Sequence, residues 1–396
     1  MIRPNMHYAE LKDSYLFYTV AQKTKAFLEA HPGQRLLRLG IGDVSQPLCP
    51  AVIAALHEAV EHQAHAETFH GYMPEVGAGF LREAVRGYYA RRGVELDTEE
   101  IFVSSGASDE LGDILDLFAP DNTVLIMEPA YPAYVDANVI AGHRILHLPS
   151  GEADGFAPLP AAETKADLIY ICSPNNPTGA VFTREKLAAW IDYANREGAV
   201  ILFDAAYEAF IQDPDIPHSI FELDGARTCA IEICSLSKTA GFTGTRCGYT
   251  VIPKELERSG MRLADMWVRN RTTKTNGVSY IIQYGAAAVF TDEGQRQIRA
   301  NIEVYRRNAA RLMRALDACG IRYCGGRNAP YIWLACPGGM DSWTFFDDLL
   351  HKGQIVGTPG AGFGACGDGY FRFTAFGSEA DTEEAAQTLL RLYGRG

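Results

Sequence analysis

Short apolar runs of strand length alternate with longer segments of helical pattern through most of the chain. The runs within EIFVSSGA, NTVLIMEP, DLIYICSP, AVILFDAAY and CAIEICSLSK predict strands, and ELGDILDLFA and REKLAAWIDYANREG between them predict helices. Strands and helices that alternate in this way are typical of an α/β fold in which a mostly parallel sheet carries helices on both faces. Ligands bind to such sheets at the carboxyl ends of the strands.

The pattern changes from about residue 300 onward. A long charged helix, QIRANIEVYRRNAARLMRAL, is followed by the short strands APYIWLAC and YFRFTAF and by a final helix. We therefore predict a large domain at 46–295 and a smaller α+β domain at 296–396 that residues 1–45 complete.

Composition and charge argue against several classes of protein, including nucleic-acid-binding and membrane-spanning proteins. The 396 residues are 47% hydrophobic, enough for a substantial core, and the formal net charge of −13 argues against a nucleic-acid partner. The start, MIRPNMHYAELKDSYLF, has no signal-peptide pattern, and no apolar run approaches the roughly twenty residues that span a bilayer. We therefore expect a cytoplasmic protein that does not enter a membrane.

Metal and disulfide chemistry receive little support from the sequence. The nine cysteines contain no CxxC pair, which favours reduced thiols over disulfides or a zinc site. His62 and His65 lie three residues apart, but the segment around them also fits an ordinary polar helix face. We predict no bound metal.

Polar side chains follow the predicted strands. Asn176 lies in the turn SPNNPTG, Asp204 and Tyr207 lie in DAAYE, and Lys238 lies in SLSK directly after an apolar strand. The segment SSGAS at 104–108 precedes a helix and offers backbone N–H groups and hydroxyls that suit a phosphate. Taken singly, these segments also fit a common turn, a helix cap and a buried aspartate that accepts backbone hydrogen bonds. Together, a phosphate cradle, a carboxylate, a phenol, an amide and a lysine fit one cofactor, pyridoxal 5'-phosphate.

The motifs SPNNPTG, DAAYE and SLSKTAGFTGTRCGY resemble the signature of the fold-type I, pyridoxal-phosphate-dependent aminotransferases, and the similarity covers nearly the whole chain. Within that superfamily, DSYLF, YPAYVDANVIAG, NGVSY, APYIWL and VGTPGAGFG resemble the LL-diaminopimelate aminotransferase family. The resemblance implies transamination between LL-2,6-diaminopimelate and 2-oxoglutarate, giving tetrahydrodipicolinate and glutamate, as a step of lysine biosynthesis. It also implies a homodimer with shared active sites.

The resemblance assigns roles around the cofactor. Lys238 would form an imine with the cofactor aldehyde and later serve as the base at the substrate Cα. Asp204 would pair with the ring nitrogen, Tyr207 and Asn176 would bond the 3'-oxygen, and Tyr131 would stack on the ring. The cofactor phosphate would be bound by the remaining positions, Ala107, Ser108, Ser235 and Arg246.

The resemblance also implies a substrate site. Arg372 would clamp the substrate α-carboxylate, because a planar guanidinium suits carboxylate recognition. Glu75 would meet the distal ammonium of the substrate, and Tyr15 and Asn276 would lie near its distal carboxylate. Glu75 and Asn276, together with Tyr72, would come from the second subunit. The predicted substrate-binding positions are Tyr15, Gly42, Tyr72, Glu75, Asn176, Asn276 and Arg372.

The chain departs from the pattern of the family at several positions. Ser105 and Ser108 stand where an aspartate and a lysine are usual, Cys234 stands in place of an arginine, and Thr275 stands in place of an aromatic residue. These changes bear on substrate identity and cofactor affinity rather than on transamination. Two alternatives therefore stay open: an aminotransferase of another amino acid, or a lyase, on the same scaffold, and a non-catalytic ligand sensor. The retained lysine and the lack of a basic DNA-binding segment argue against the sensor.

Overall fold

The computed structural model describes residues 2–11, 16–40, 42–161 and 163–394 as alternating helices and strands. The strands are β1 (Leu37–Arg38), β2 (Ile101–Ser104), β3 (Thr123–Glu128), β4 (Arg144–Pro149), β5 (Leu168–Cys172), β6 (Val200–Asp204), β7 (Ala230–Ser235), β8 (Gly248–Val251), β9 (Glu257–Arg258), β10 (Met261–Arg262), β11 (Tyr323–Gly325), β12 (Tyr331–Ala335), β13 (Ile355–Val356), β14 (Thr358–Pro359) and β15 (Tyr370–Thr374). The α-helices are α1 (Leu16–Ala30), α2 (Pro50–His62), α3 (Gly79–Ala90), α4 (Ala107–Asp113), α5 (Pro132–Ala141), α6 (Arg184–Glu197), α7 (Leu236–Ala240), α8 (Leu263–Lys274), α9 (Tyr280–Ala287), α10 (Asp292–Cys319), α11 (Ser342–Gly353) and α12 (Glu379–Tyr393).

A seven-stranded sheet forms the centre of the fold, in the order β2-β8-β7-β6-β5-β3-β4. Strands β7, β6, β5, β3 and β4 pair in parallel, whereas β8 is antiparallel to both of its neighbours, β7 and β2. Every residue of β5, β6 and β7 is buried, as the continuous apolar runs predict for strands that are covered on both faces. The mostly parallel α/β fold is thereby confirmed.

Helix ends follow the local chemistry of the sequence. The hydroxyl of Thr183 caps α6 by accepting a hydrogen bond from the backbone N–H of Lys186, and Gly198 ends the helix with φ of 75°. The long charged helix α10 is capped in the same way by Thr291 and ends at Gly320, whose φ is 67°. These caps determine the residues at which the two helices begin and end.

A second sheet, in the order β11-β12-β15-β14, is antiparallel throughout and holds Arg372 in its strand β15. Strand β1 pairs in parallel with β13, which directly precedes β14 of the second sheet. The N-terminal residues Leu37–Arg38 thus pack beside the C-terminal part of the chain. The division into domains at 45/46 and 295/296 stays a prediction, and α10 runs without interruption through the second of these positions.

Two strands of the central sheet are absent from the sequence prediction. β4 lies at the sheet edge with partly exposed residues, and β8 is a four-residue strand that follows the lysine motif directly. Exposed positions interrupt β4, and β8 has a glycine and a threonine among its four residues, so neither strand shows the continuous apolar run of β5 or β6. No helix in the described ranges combines the length and the apolar character needed to cross a membrane.

Candidate active site

Polar residues from the carboxyl ends of the parallel strands line one cavity of about 600 Å³. Residues from the second sheet and from the segment at 38–43 close the same cavity. The predicted site residues that line it are Gly42, Ala107, Ser108, Tyr131, Asn176, Asp204, Tyr207, Ser235, Lys238, Arg246 and Arg372. Positions from seven separate segments of sequence therefore meet in one place.

Three other predicted substrate residues, Tyr72, Glu75 and Asn276, do not line this cavity. Tyr72 is 89% exposed, Asn276 is exposed and Glu75 is partly exposed. Tyr15 lies outside the residues that the structure describes. The assignment of Tyr72, Glu75 and Asn276 to a shared site between subunits stays a prediction.

Lys238 lies in α7, a five-residue helix that directly follows the buried strand β7 and ends at Gly241, whose φ is 83°. The pKa of Lys238 is lowered to about 8, chiefly by burial; the negative charge of Asp43 opposes this shift, and the positive charges of Arg246 and Arg372 add to it. Its ammonium nitrogen lies 5.9 Å from the centre of the Phe376 ring. A lysine in this setting supplies the uncharged amine that a nucleophile or a base needs.

Asp204 ends β6 as a buried carboxylate. Tyr134 donates a hydrogen bond of 2.6 Å to its Oδ2, and the backbone N–H of Ala206 donates one of 3.0 Å to its Oδ1. Burial raises the pKa of Asp204, and these two hydrogen bonds counteract that rise. The sequence analysis did not single out Tyr134, although it lies three residues beyond the predicted ring-stacking residue Tyr131.

Tyr207 is buried, and its hydroxyl lies 2.7 Å from the hydroxyl of Tyr331. Burial raises the pKa of Tyr207 well above its usual value, so it remains a neutral phenol. The sequence analysis assigned Tyr331 no role, because it lies 124 residues from Tyr207 in the chain. Only the pairing of β12 with β15 in the second sheet brings it to the site.

Arg372 is 1% exposed, and three acceptors among the described residues bind its guanidinium. Its Nη1 donates to Asn176 Oδ1 at 2.6 Å, and its Nη2 donates to the carbonyl oxygen of Gly40 at 2.7 Å and to Thr358 Oγ1 at 3.3 Å. Because the Asn176 oxygen accepts from Arg372, the amide N–H₂ of Asn176 is the part that can donate to a ligand. The contact thus orients both a guanidinium and an amide towards the cavity.

An anion-binding cradle lies where α4 begins, beside Arg246. Gly106 has φ of +129°, and a Cβ atom there would fall 2.7 Å from Nη2 of Arg246. The guanidinium is held in place through Nη1, which donates to Ser237 Oγ and to the carbonyl oxygen of Thr243, both at 3.2 Å. The first N–H groups of α4 and the hydroxyl of Ser235 line the same end of the cavity. This donor set fits a phosphate group, and Ser237 belongs to it although the sequence analysis did not name it.

The two histidines considered for a metal site have other partners. His62 Nδ1 lies 2.7 Å from the hydroxyl of Tyr280, and His65 Nε2 lies 3.0 Å from Glu61 Oε1. Among the residues that the structure describes, no three metal-ligating side chains cluster together. All nine cysteines are free thiols.

Comparison with known proteins places the site in context. Residues 34–389 match the sequence profile of the class I and II aminotransferases. The LL-diaminopimelate aminotransferase of Lachnospira eligens is 48% identical over 99% of this chain and 100% of its own, and that of Lawsonia intracellularis is 48% identical over 98% of each. The solved structure of L,L-diaminopimelate aminotransferase from Chlamydomonas reinhardtii superposes with a TM-score of 0.94, at 37% identity over 99% of both chains. The similarity extends along the full length of these proteins.

Proposed function

The chain belongs to the class I and II aminotransferases, and we propose that it transfers an amino group between LL-2,6-diaminopimelate and 2-oxoglutarate with the help of pyridoxal 5'-phosphate. Relatives that carry this activity in their names match it along their full length. The observation that carries the proposal is that Lys238, Asp204 and Arg246 line one cavity in which Lys238 has a pKa of about 8.

The cavity can hold the cofactor at both of its ends. The guanidinium of Arg246, the hydroxyls of Ser235 and Ser237 and the first N–H groups of α4 would hold the phosphate. At the other end, Asp204 would accept a hydrogen bond from the protonated ring nitrogen, and Tyr207 and the amide of Asn176 would donate to the ring oxygen. Bound in this way, pyridoxal phosphate supplies an aldehyde and an electron-withdrawing ring that stabilises negative charge at the substrate Cα.

The chain's own residues perform the remaining tasks. Arg372 orients the substrate through its α-carboxylate, in a geometry that Asn176 and the Gly40 carbonyl fix beforehand. Lys238 would take the proton from Cα and deliver it to the carbon that carried the aldehyde of the cofactor, which requires its amine to be uncharged at the start. Both diaminopimelate and 2-oxoglutarate carry a carboxylate next to the reacting carbon, so Arg372 can serve both halves of a ping-pong reaction.

Selectivity for diaminopimelate requires groups that bind its second ammonium and second carboxylate. We assign the ammonium to Glu75 and the carboxylate to Tyr15 and Asn276, with Tyr72, Glu75 and Asn276 supplied by the partner subunit of a homodimer. The exposure of Tyr72 and Asn276 in the single chain is consistent with this arrangement. Without the second chain, the cavity would bind only the reacting end of the substrate.

The test is an assay of the purified protein with LL-diaminopimelate, 2-oxoglutarate and pyridoxal phosphate, in which glutamate is measured. Glutamate formation supports the proposal, and Lys238→Ala should abolish it. Borohydride reduction of the cofactor-loaded protein should fix the cofactor mass on the peptide that contains Lys238.

A second candidate, an aminotransferase of another amino acid, is favoured by the two serines at 105 and 108 in place of charged residues. It would be supported if only another amino donor converts the bound cofactor to its amine form. Absence of cofactor binding would refute both candidates.

A further inference from the structure

A buried polar contact behind the cofactor site has no role in the mechanism above. The phenol of Tyr134 donates a 2.6 Å hydrogen bond to Oδ2 of Asp204, and both side chains are buried. We propose that Tyr134 is a positioning residue for the reaction: its hydrogen bond keeps Asp204 ionised and aligned, so that Asp204 retains the proton on the ring nitrogen of the bound cofactor. This inference rests on the proposed function.

The geometry gives Tyr134 one orientation. Its ring stacks on Tyr170 at a centroid distance of 4.8 Å and meets Tyr131 edge-on at 5.6 Å. Its backbone carbonyl accepts a hydrogen bond of 2.8 Å from Nδ2 of Asn138, which also donates to the hydroxyl of Tyr170 at 3.0 Å. Packing of its ring against Tyr170 of β5 and against Tyr131 therefore holds the phenol on Asp204.

The two oxygens of Asp204 have different donors. Oδ1 accepts from the backbone N–H of Ala206 at 3.0 Å, and no substitution of a side chain removes that bond. Oδ2 accepts from Tyr134, the only side chain in the described residues that donates to this carboxylate. A substitution at Tyr134 can therefore change the hydrogen bonding, and with it the ionisation, of Asp204.

Among the residues that the structure describes, no charged group acts on Asp204. The titratable groups that face it are Tyr134 from α5, Tyr170 and Cys172 from β5, and Tyr207 from the loop after β6. Burial raises the pKa of each of these groups, so all of them stay neutral near pH 7. A neutral phenol donates a stronger hydrogen bond to an anionic carboxylate than to a neutral carboxylic acid, and it thus favours the ionised form of Asp204.

Tyr134→Phe removes this donor while leaving the stacked ring in place. The matched control is Tyr170→Phe, which removes a buried hydroxyl of the neighbouring tyrosine that bonds Asn138 rather than Asp204. Each variant would be loaded with pyridoxal 5'-phosphate labelled with ¹⁵N in the ring, and the ¹⁵N chemical shift of the ring nitrogen would be followed as a function of pH. This shift reports protonation directly and does not depend on turnover.

We expect the ring nitrogen of the Tyr134→Phe variant to lose its proton at a pH about one to two units lower than in the wild type, the size that a hydrogen bond to a charged group contributes. Tyr170→Phe should titrate like the wild type. In an Asp204→Asn background, Tyr134→Phe should cause no further change, because its effect passes through the carboxylate.

A second measurement covers the case in which Tyr134→Phe does not fold. Replacing Tyr134 with 3-fluorotyrosine preserves its shape and makes the phenol a stronger donor, so the ring nitrogen should keep its proton to a higher pH. If the wild type binds no pyridoxal phosphate, the proposed function fails. If the wild type binds it and the fluorinated protein and Tyr134→Phe both titrate like the wild type, the role of Tyr134 alone is refuted.

Discussion

The low pKa of Lys238 leads to a quantitative prediction about how fast the protein captures its cofactor. Burial and two arginines bring this pKa from 10.5 to about 8. By the titration equation, the uncharged amine at pH 7 then amounts to roughly 9%, against roughly 0.03% for an ordinary lysine, an increase of about 300-fold. Because only the uncharged amine attacks an aldehyde, the capture rate should increase by about the same factor.

The perturbation that tests this reasoning is Asp43→Asn. Asp43 lines the cavity, and its negative charge is the one that raises the pKa of Lys238. Removing that charge should lower the pKa of Lys238 further, so that the amine becomes uncharged at a lower pH. Asp224→Asn is the matched control, since it makes the same change at an exposed position outside the cavity.

The assay mixes cofactor-free protein with pyridoxal phosphate and follows the absorbance change over a range of pH. The rate for the wild type should rise about tenfold per pH unit below pH 8 and level off above it, because the free-amine fraction saturates there. Asp43→Asn should reach its plateau at a lower pH, and Asp224→Asn should follow the wild type. A wild-type midpoint near pH 10, or an unchanged midpoint in Asp43→Asn, would refute the electrostatic account of this lysine.

Three further substitutions test other parts of the site. Arg372→Lys cannot reproduce the fork of hydrogen bonds to the carboxylate, each worth about 1.5–3 kcal/mol for a charged group. The kcat/KM for an amino acid should therefore fall roughly 30-fold or more. Turnover of the corresponding amine, which lacks the carboxylate, should change little. Gly106→Ala places a Cβ atom 2.7 Å from the Arg246 guanidinium and should raise the cofactor Kd at least about tenfold; Gly112→Ala, in open space on the same helix, should not. Glu75→Gln should raise KM for LL-diaminopimelate and leave KM for 2-oxoglutarate unchanged, and equal KM values for LL-diaminopimelate in variant and wild type would remove Glu75 from the substrate site.

The parallel sheet was predictable from the sequence because its central strands are buried on both faces. Such strands are continuous apolar runs, and the polar residue that follows each run must lie at the same edge of the sheet. For this reason the sequence predicts Asp204 and Lys238 at the same edge of the sheet. The partly exposed strand β4 and the short antiparallel strand β8 lack such a run, and they were missed.

The sequence by itself determined the fold class, the motifs that carry the family resemblance and the chemical types of the groups at the strand ends. The tertiary structure alone decided which groups touch. Tyr134 donates a hydrogen bond to Asp204, which is 70 residues away in the sequence, and Arg372 donates one to the carbonyl of Gly40, which is 332 residues away. No local sequence pattern predicts either contact. The pKa of Lys238 belongs to the same class of property, because desolvation and Coulomb interactions depend on which atoms pack around a charge and not on its neighbours in sequence.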